Sequence, residues 1–234
     1  MGLWGKRDDM IVHESDPYNA EPPPGALADL MLTPVDSFYG RNHGPVPLID
    51  PRAWRLRVGG LAECDLELSL DELRGQFAQR TLTATLQCAG NRRAGLIKVR
   101  DIPGEAPWGP GATSTAEWTG VSLAEVLRAA RPREEATHVT FDAPDISQVA
   151  APPQPYGGST DGGRSWRQAG LGEEAGPWAW RQWRTVIDIP AGPAEIIARA
   201  WDTSAAAQPE SPVHLWNPKG YVNNSWARIQ VTAF

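Results

Sequence analysis

Thr81-Leu82-Thr83-Ala84-Thr85-Leu86-Gln87-Cys88-Ala89-Gly90-Asn91-Arg92-Arg93 sets one thiol where a β-patterned run gives way to a turn. Thr81 to Gln87 is β-branched or apolar at alternate positions, which predicts a strand carrying Cys88 at its C-terminal end. Gly90 and Asn91 tolerate left-handed backbone, so a sharp turn that tips Cys88 into a cleft is expected. A thiolate is the form that attacks or ligates, and cations such as Arg92 and Arg93 favour it. A lone cysteine is usually a small buried hydrophobe, but arginines this close are hard to bury, which weighs for a functional thiol.

Upstream, Ser69 with Glu72 makes a capping-box pattern and predicts a short helix to about Ala78. Trp54 to Val58 alternates as a strand that Gly59-Gly60 ends. Tyr39-Gly40-Arg41-Asn42-His43-Gly44-Pro45 is a turn-rich loop whose cation, amide and imidazole suit an anionic ligand, as they would also suit solvent. Residues 1 to 35, with Pro22-Pro23-Pro24-Gly25, read as an extended arm with little chemistry. Downstream, Ser122 with Glu125 predicts a second capping box and a helix through Ala130 that Pro132 stops. His138 to Asp142 reads as a strand.

Ala150 to Gly158 is a Pro/Gly linker, and beyond it helical periodicity disappears. Asp161-Gly162-Gly163 signals a hairpin. Trp178 to Ile189 alternates as a strand that Pro190-Ala191-Gly192 turns back into Glu195 to Asp202. The expected organisation is α+β: a first domain over 1–150, a linker over 151–158, and an all-β sandwich over 159–234.

A net charge of -6 argues against a nucleic-acid surface, so an anionic ligand needs a local basic pocket. Two cysteines in 234 residues are no disulfide scaffold and fit a reducing compartment. No apolar stretch is long enough to span a bilayer, and Met1 to Asp9 has no apolar core for export, so the expected location is cytoplasmic. Cys64 does not pair with Cys88 at metal-finger spacing. His13, His43, His138 and His214 bring no companion motif for a thiol hydrolase. Eleven tryptophans fit core and interface packing better than a stacking platform, because no basic excess accompanies them.

Residue for residue, Thr85 to Arg93 resembles the motif by which the sulfite oxidase family of molybdopterin oxidoreductases holds its metal. The resemblance implies a partial molybdopterin domain followed by a partial immunoglobulin-like dimerisation domain. It places Cys88 as the protein thiolate on molybdenum, a soft ligand for that metal. Tyr39, Arg41, Asn42 and His43 are implied as molybdopterin contacts, with Arg41 also facing substrate; Asp145 matches a cofactor-contacting carboxylate. Arg93 and Trp108 fall where the family lines its oxyanion pocket. Trp178 to Trp183 and Trp216 to Trp226 resemble the dimerisation domain, and Lys219 falls in the place of an arginine that many relatives carry to the anion site.

The likeness breaks between the blocks. After a Tyr-Gly-Gly-Ser turn, family members continue with a long segment that supplies a His, an Arg, a Ser-x-Lys-type segment and an active-site tyrosine. Here Tyr156-Gly157-Gly158 runs almost directly into Ser159-Thr160-Asp161-Gly162-Gly163. The late cofactor domain and the opening strands of the sandwich are therefore missing. The implied function is oxidation of sulfite or a similar small oxyanion by a homodimer that passes electrons to a separate acceptor. The competing expectation is a non-catalytic, shortened relative acting as a dimerisation or interaction module.

Overall fold

The computed structural model describes residues 3–28, 30–42, 44, 46–141, 157–159, 166–189, 191–202, 204 and 206–233. The architecture is α+β: small antiparallel sheets with three short α-helices among the described residues.

The first of these sheets corrects the reading of residues 1 to 35 as an extended arm. Strands β1 (Ile11–Ser15) and β2 (Tyr18–Glu21) pair as a hairpin, and every residue of β2 is buried. Ala20 exchanges two backbone hydrogen bonds with Gly40, which fastens the Tyr39–Asn42 loop to the hairpin.

Strands β3 (Leu56–Val58) and β4 (Leu66–Leu68) form a second pair. Helix α1 (Leu70–Gln76) follows with both halves of the capping box made: Glu72 N–H donates to Ser69 Oγ and Ser69 N–H to a Glu72 carboxylate oxygen. Its Leu73 packs with Leu68 and with Val126 of α3 (Leu123–Ala130), and Trp54, Val58, Phe77 and Val121 close around them. Ser122 stands at the N-cap of α3, but its side chain makes no cap bond. The expected box partner, Glu125, instead pairs with Arg80 at 2.7 Å. Arg131 ends α3 in left-handed backbone, just ahead of Pro132.

Strands β5 (Gln79–Gln87) and β6 (Thr113–Val121) pair antiparallel over their whole length, from Gln79 opposite Val121 to Gln87 opposite Thr113. Residues 88–112, including helix α2 (Arg93–Ile97), are the excursion between them. Leu82, Leu86 and Trp118 of this sheet remain 43% to 50% exposed, while Val121 at its end packs into the core of α1 and α3.

In the C-terminal part, β10 (Gly192–Arg199) lies between β11 (Ala227–Ala233) and β7 (Gly157–Ser159), antiparallel to both, so Gly157 and Gly158, read as the end of the linker, belong to this sheet. The expected return of Trp178–Ile189 onto Glu195–Asp202 does not form. Only β9 (Trp183–Arg184) is a strand there, paired with β8 (Gly170–Leu171). The reason is that Trp178 and Trp180 are taken by the β5–β6 sheet: Thr85 N–H donates to Trp178 O at 2.7 Å, and Trp180 N–H to Thr85 Oγ1 at 2.7 Å. Residues 138–141 are not a strand, while Asp142 and the Asp161–Gly163 turn lie outside the described residues. No helix among the described residues is long and apolar enough to cross a membrane.

Candidate active site

Cys88 sits where β5 leaves the sheet. Its N–H donates to Ala112 O at 3.0 Å, adding a rung to the ladder, and its Sγ accepts from Gly90 N–H at 3.4 Å. The turn is closed by Asn91 N–H to Cys88 O at 2.9 Å and Arg93 N–H to Gly90 O at 3.0 Å. The left-handed residue is Arg92 (φ 64), and neither Gly90 nor Asn91 takes that conformation. Gly90 is needed for room, since a Cβ there would stand 2.6 Å from Arg93 Nη2.

The two arginines separate. Arg93 is 1% exposed and turns back under the turn; Nε donates to Lys219 O and Nη1 to Ala106 O, both at 2.9 Å. Its Nη2 lies 3.1 Å from Glu105 Oε2, close enough for an ion pair but not aligned for a hydrogen bond, and it has no other protein acceptor. Burial pushes the Arg93 pKa down, while Glu105 first and the Cys88 charge second oppose that fall. Arg92, expected beside the thiol, instead donates to the carbonyls of Ser225 at 2.7 Å and Trp226 at 3.1 Å. It clamps the Cys88 turn to the C-terminal segment.

That segment returns the grip. Val222 N–H donates to Ala89 O at 2.8 Å, and Asn223 Nδ2 to Arg92 O at 2.9 Å. Gly220 has φ 58, and a Cβ on it would stand 2.6 Å from Arg93 Cγ. Lys219, mostly exposed, reaches Glu105 Oε1 with its Nζ at 2.9 Å, and this hydrogen bond raises its pKa. The Arg93 guanidinium also stacks 5.3 Å above the Tyr221 ring.

Trp108 is fully buried, and its Nε1–H has no protein acceptor. The His13 ring meets its edge at 4.7 Å. The loop around it hangs on Glu21, a 1% exposed carboxylate that accepts from Gly109 N–H at 2.5 Å, Gly111 N–H at 2.6 Å and His13 Nε2 at 2.8 Å. Ala94 N–H in turn donates to Trp108 O at 3.0 Å and Arg92 N–H to Gly109 O at 2.8 Å. The β1–β2 hairpin thus fixes Trp108 against the Cys88 turn. Glu21, His13, Glu105 and Asn223 were not among the residues expected from sequence.

Tyr39 belongs to the same cluster: burial, and secondarily the Cys88 charge, raises the pKa of its phenol. Arg41 falls within electrostatic reach of Arg93 and hydrogen-bonds the Asn42 carbonyl. Asn42 makes a structural lock, with Nδ2 donating to Tyr18 O and its N–H to Asn19 Oδ1, both at 2.6 Å. His43 and Asp145 lie outside the described residues. The chain therefore gathers Cys88, Arg93, Tyr39, Arg41 and Lys219 in one place, with the Trp108 backbone bonded to the start of α2. Among the described residues no three His, Cys, Asp or Glu side chains cluster as a metal cage.

Residues 43–168 match the model of an oxidoreductase molybdopterin binding domain, and residues 158–234 that of a Mo-co oxidoreductase dimerisation domain. The chain is 47% identical over 157 residues to the sulfite oxidase of Gallus gallus, covering 66% of this chain and 33% of that one. It is 28% identical over 356 residues to the mitochondrial sulfite oxidase of Rattus norvegicus, covering 94% of this chain and 65% of that one. That alignment is longer than this chain's 234 residues, so the rat protein carries a long internal stretch with no counterpart here. The chain thus spans between a third and two-thirds of these relatives. Its fold is similar to that in the crystal structure of the sulfane dehydrogenase SoxCD from Paracoccus pantotrophus, with TM-score 0.71 at 15% identity over 99% of this chain and 87% of that one.

Proposed function

This chain belongs to the sulfite oxidase family of molybdopterin oxidoreductases, and from that membership we propose that it oxidises sulfite or a similar small oxyanion at a molybdenum bound by Cys88. The observation that carries the reading is two buried donors that make no hydrogen bond within the protein: Trp108 Nε1, and Arg93 Nη2, whose contact with Glu105 is an ion pair only. Leaving such groups unpaired costs about 1–3 kcal/mol each, and an oxyanion supplies the missing acceptors.

The residues present fit the metal end of the cofactor. Cys88 offers a single sulfur at the end of a strand, with the Gly90 N–H directed at it. Tyr39, Arg41 and Asn42, with His43 and Asp145, are assigned to the pterin. Asn42 would serve through its backbone and loop placement, since its amide is already spent on Tyr18. When bound, the molybdenum–molybdopterin supplies the oxo group and takes up two electrons, which leave to a separate acceptor. The chain's own part is electrostatic. Arg41, Arg93 and Lys219 set positive charge around the anion, and the buried Trp108 ring excludes water on one side. We further assign the C-terminal sheet to the remnant of an immunoglobulin-like sandwich, the active form to a homodimer, and the location to the cytoplasm.

The internal stretch that the rat relative carries and this chain lacks favours a second reading, a cofactor-free dimerisation module. Molybdenum and pterin content of protein from a cofactor-competent host decides between them. Near-stoichiometric metal with sulfite-dependent reduction of an acceptor dye supports the enzyme, and a folded metal-free dimer supports the module. Cys88→Ser is expected to lose the dye reduction; a variant that keeps full dye reduction would overturn the ligand assignment.

A further inference from the structure

Glu105 holds two of the cations that the proposed anion needs. One oxygen is 3.1 Å from Arg93 Nη2 and the other 2.9 Å from Lys219 Nζ, and the carboxylate is itself only 15% exposed. A buried guanidinium requires a counter-charge, and Glu105 provides it. The hydrogen bond to Lys219 is well formed, whereas the Arg93 contact is not aligned, so Nη2 keeps its hydrogens for an incoming acceptor. An anion that takes Nη2 therefore comes close to a fixed negative charge.

We propose that Glu105 is the charge-selecting residue of this site: it holds Arg93 and Lys219 ready while repelling the bound anion in proportion to that anion's charge, disfavouring a dianion over a monoanion. The proposal rests on the anion-oxidising function put forward above. Its consequence for turnover is that singly charged hydrogen sulfite is accepted more readily than doubly charged sulfate is retained.

Glu105→Gln keeps the shape and an acceptor oxygen but removes the charge. Coulombic repulsion scales with the charge on the anion, so removing it should tighten sulfate about tenfold and nitrate about threefold. Glu105→Asp, which keeps the charge, should hold the sulfate-to-nitrate ratio within about twofold of the unmodified protein. Glu105→Met, neutral and similar in volume, must reproduce the glutamine shift if that variant does not fold. The measurement is calorimetric titration of molybdenum-loaded protein with sodium sulfate and sodium nitrate, with metal content determined on each sample. Weaker binding of both anions in the neutral variants, or tightening of both by one common factor, would assign Glu105 a purely structural role and overturn the proposal while leaving the proposed function standing. If the unmodified protein takes up no molybdenum and binds neither anion, the proposed function fails and this proposal with it.

Discussion

At the scale of single residues, the Cys88 turn is held by sterics as much as by hydrogen bonds. Gly90→Ala would place a methyl group 2.6 Å from Arg93 Nη2, so the buried guanidinium has to shift. We expect a loss of about 1–3 kcal/mol in urea unfolding, the usual cost of overpacking, together with weaker sulfate binding as Nη2 is displaced. Tyr39 gives a pH signature. The folded state holds its phenol neutral above the ordinary value of 10.0, through burial first and the Cys88 charge second. The unfolded chain releases that proton earlier, so this contribution is complete below pH 10 and lost as the pH rises beyond it. Tyr39→Phe should flatten the decline of denaturation midpoint between pH 9.5 and about 11. Part of the decline should remain, because burial also raises the pKa of Tyr18.

At the scale of elements, local signals were legible and distant ones were not. The Ser69–Glu72 spacing announced α1 because both partners lie within one helical turn. The same spacing at Ser122 and Glu125 started α3 correctly and named its N-cap, but the box bonds do not form, and Arg80, 45 residues away, claims the carboxylate. Ser69→Ala should therefore cost about 1 kcal/mol in thermal or urea unfolding, and Ser122→Ala only a few tenths. Equal losses would show that the cap bonds do not matter. Cys88 at a strand end was readable from alternation alone, while Arg93, Trp108 and Lys219 were pointed to only by the family resemblance. Glu21 was not readable, because the amides that explain it are 88 and 90 residues downstream. Trp178 was misassigned for a similar reason: its backbone pairs with the strand that precedes Cys88, and alternation within residues 178–189 carries no trace of that partner.

At the scale of the whole molecule, the two family-matched regions meet at the turn that carries the thiol. Arg92 spends its guanidinium on carbonyls of Ser225 and Trp226, so Arg92→Ala should cost about 2–4 kcal/mol. In a chain of this size that is about 5–15 °C in calorimetric Tm, with the metal lost before global unfolding. A variant that melts with the unmodified protein would show the clamp to be ornamental. The span of the clamp also sets a timetable for biosynthesis. Its partners are 131 to 134 residues apart in sequence, so while the ribosome is still translating the middle of the chain, the thiol turn has emerged without its brace. Loading of the cofactor must then wait for the downstream segment to arrive, and a nascent polypeptide arrested ahead of Val222 would offer the insertion machinery no finished cradle.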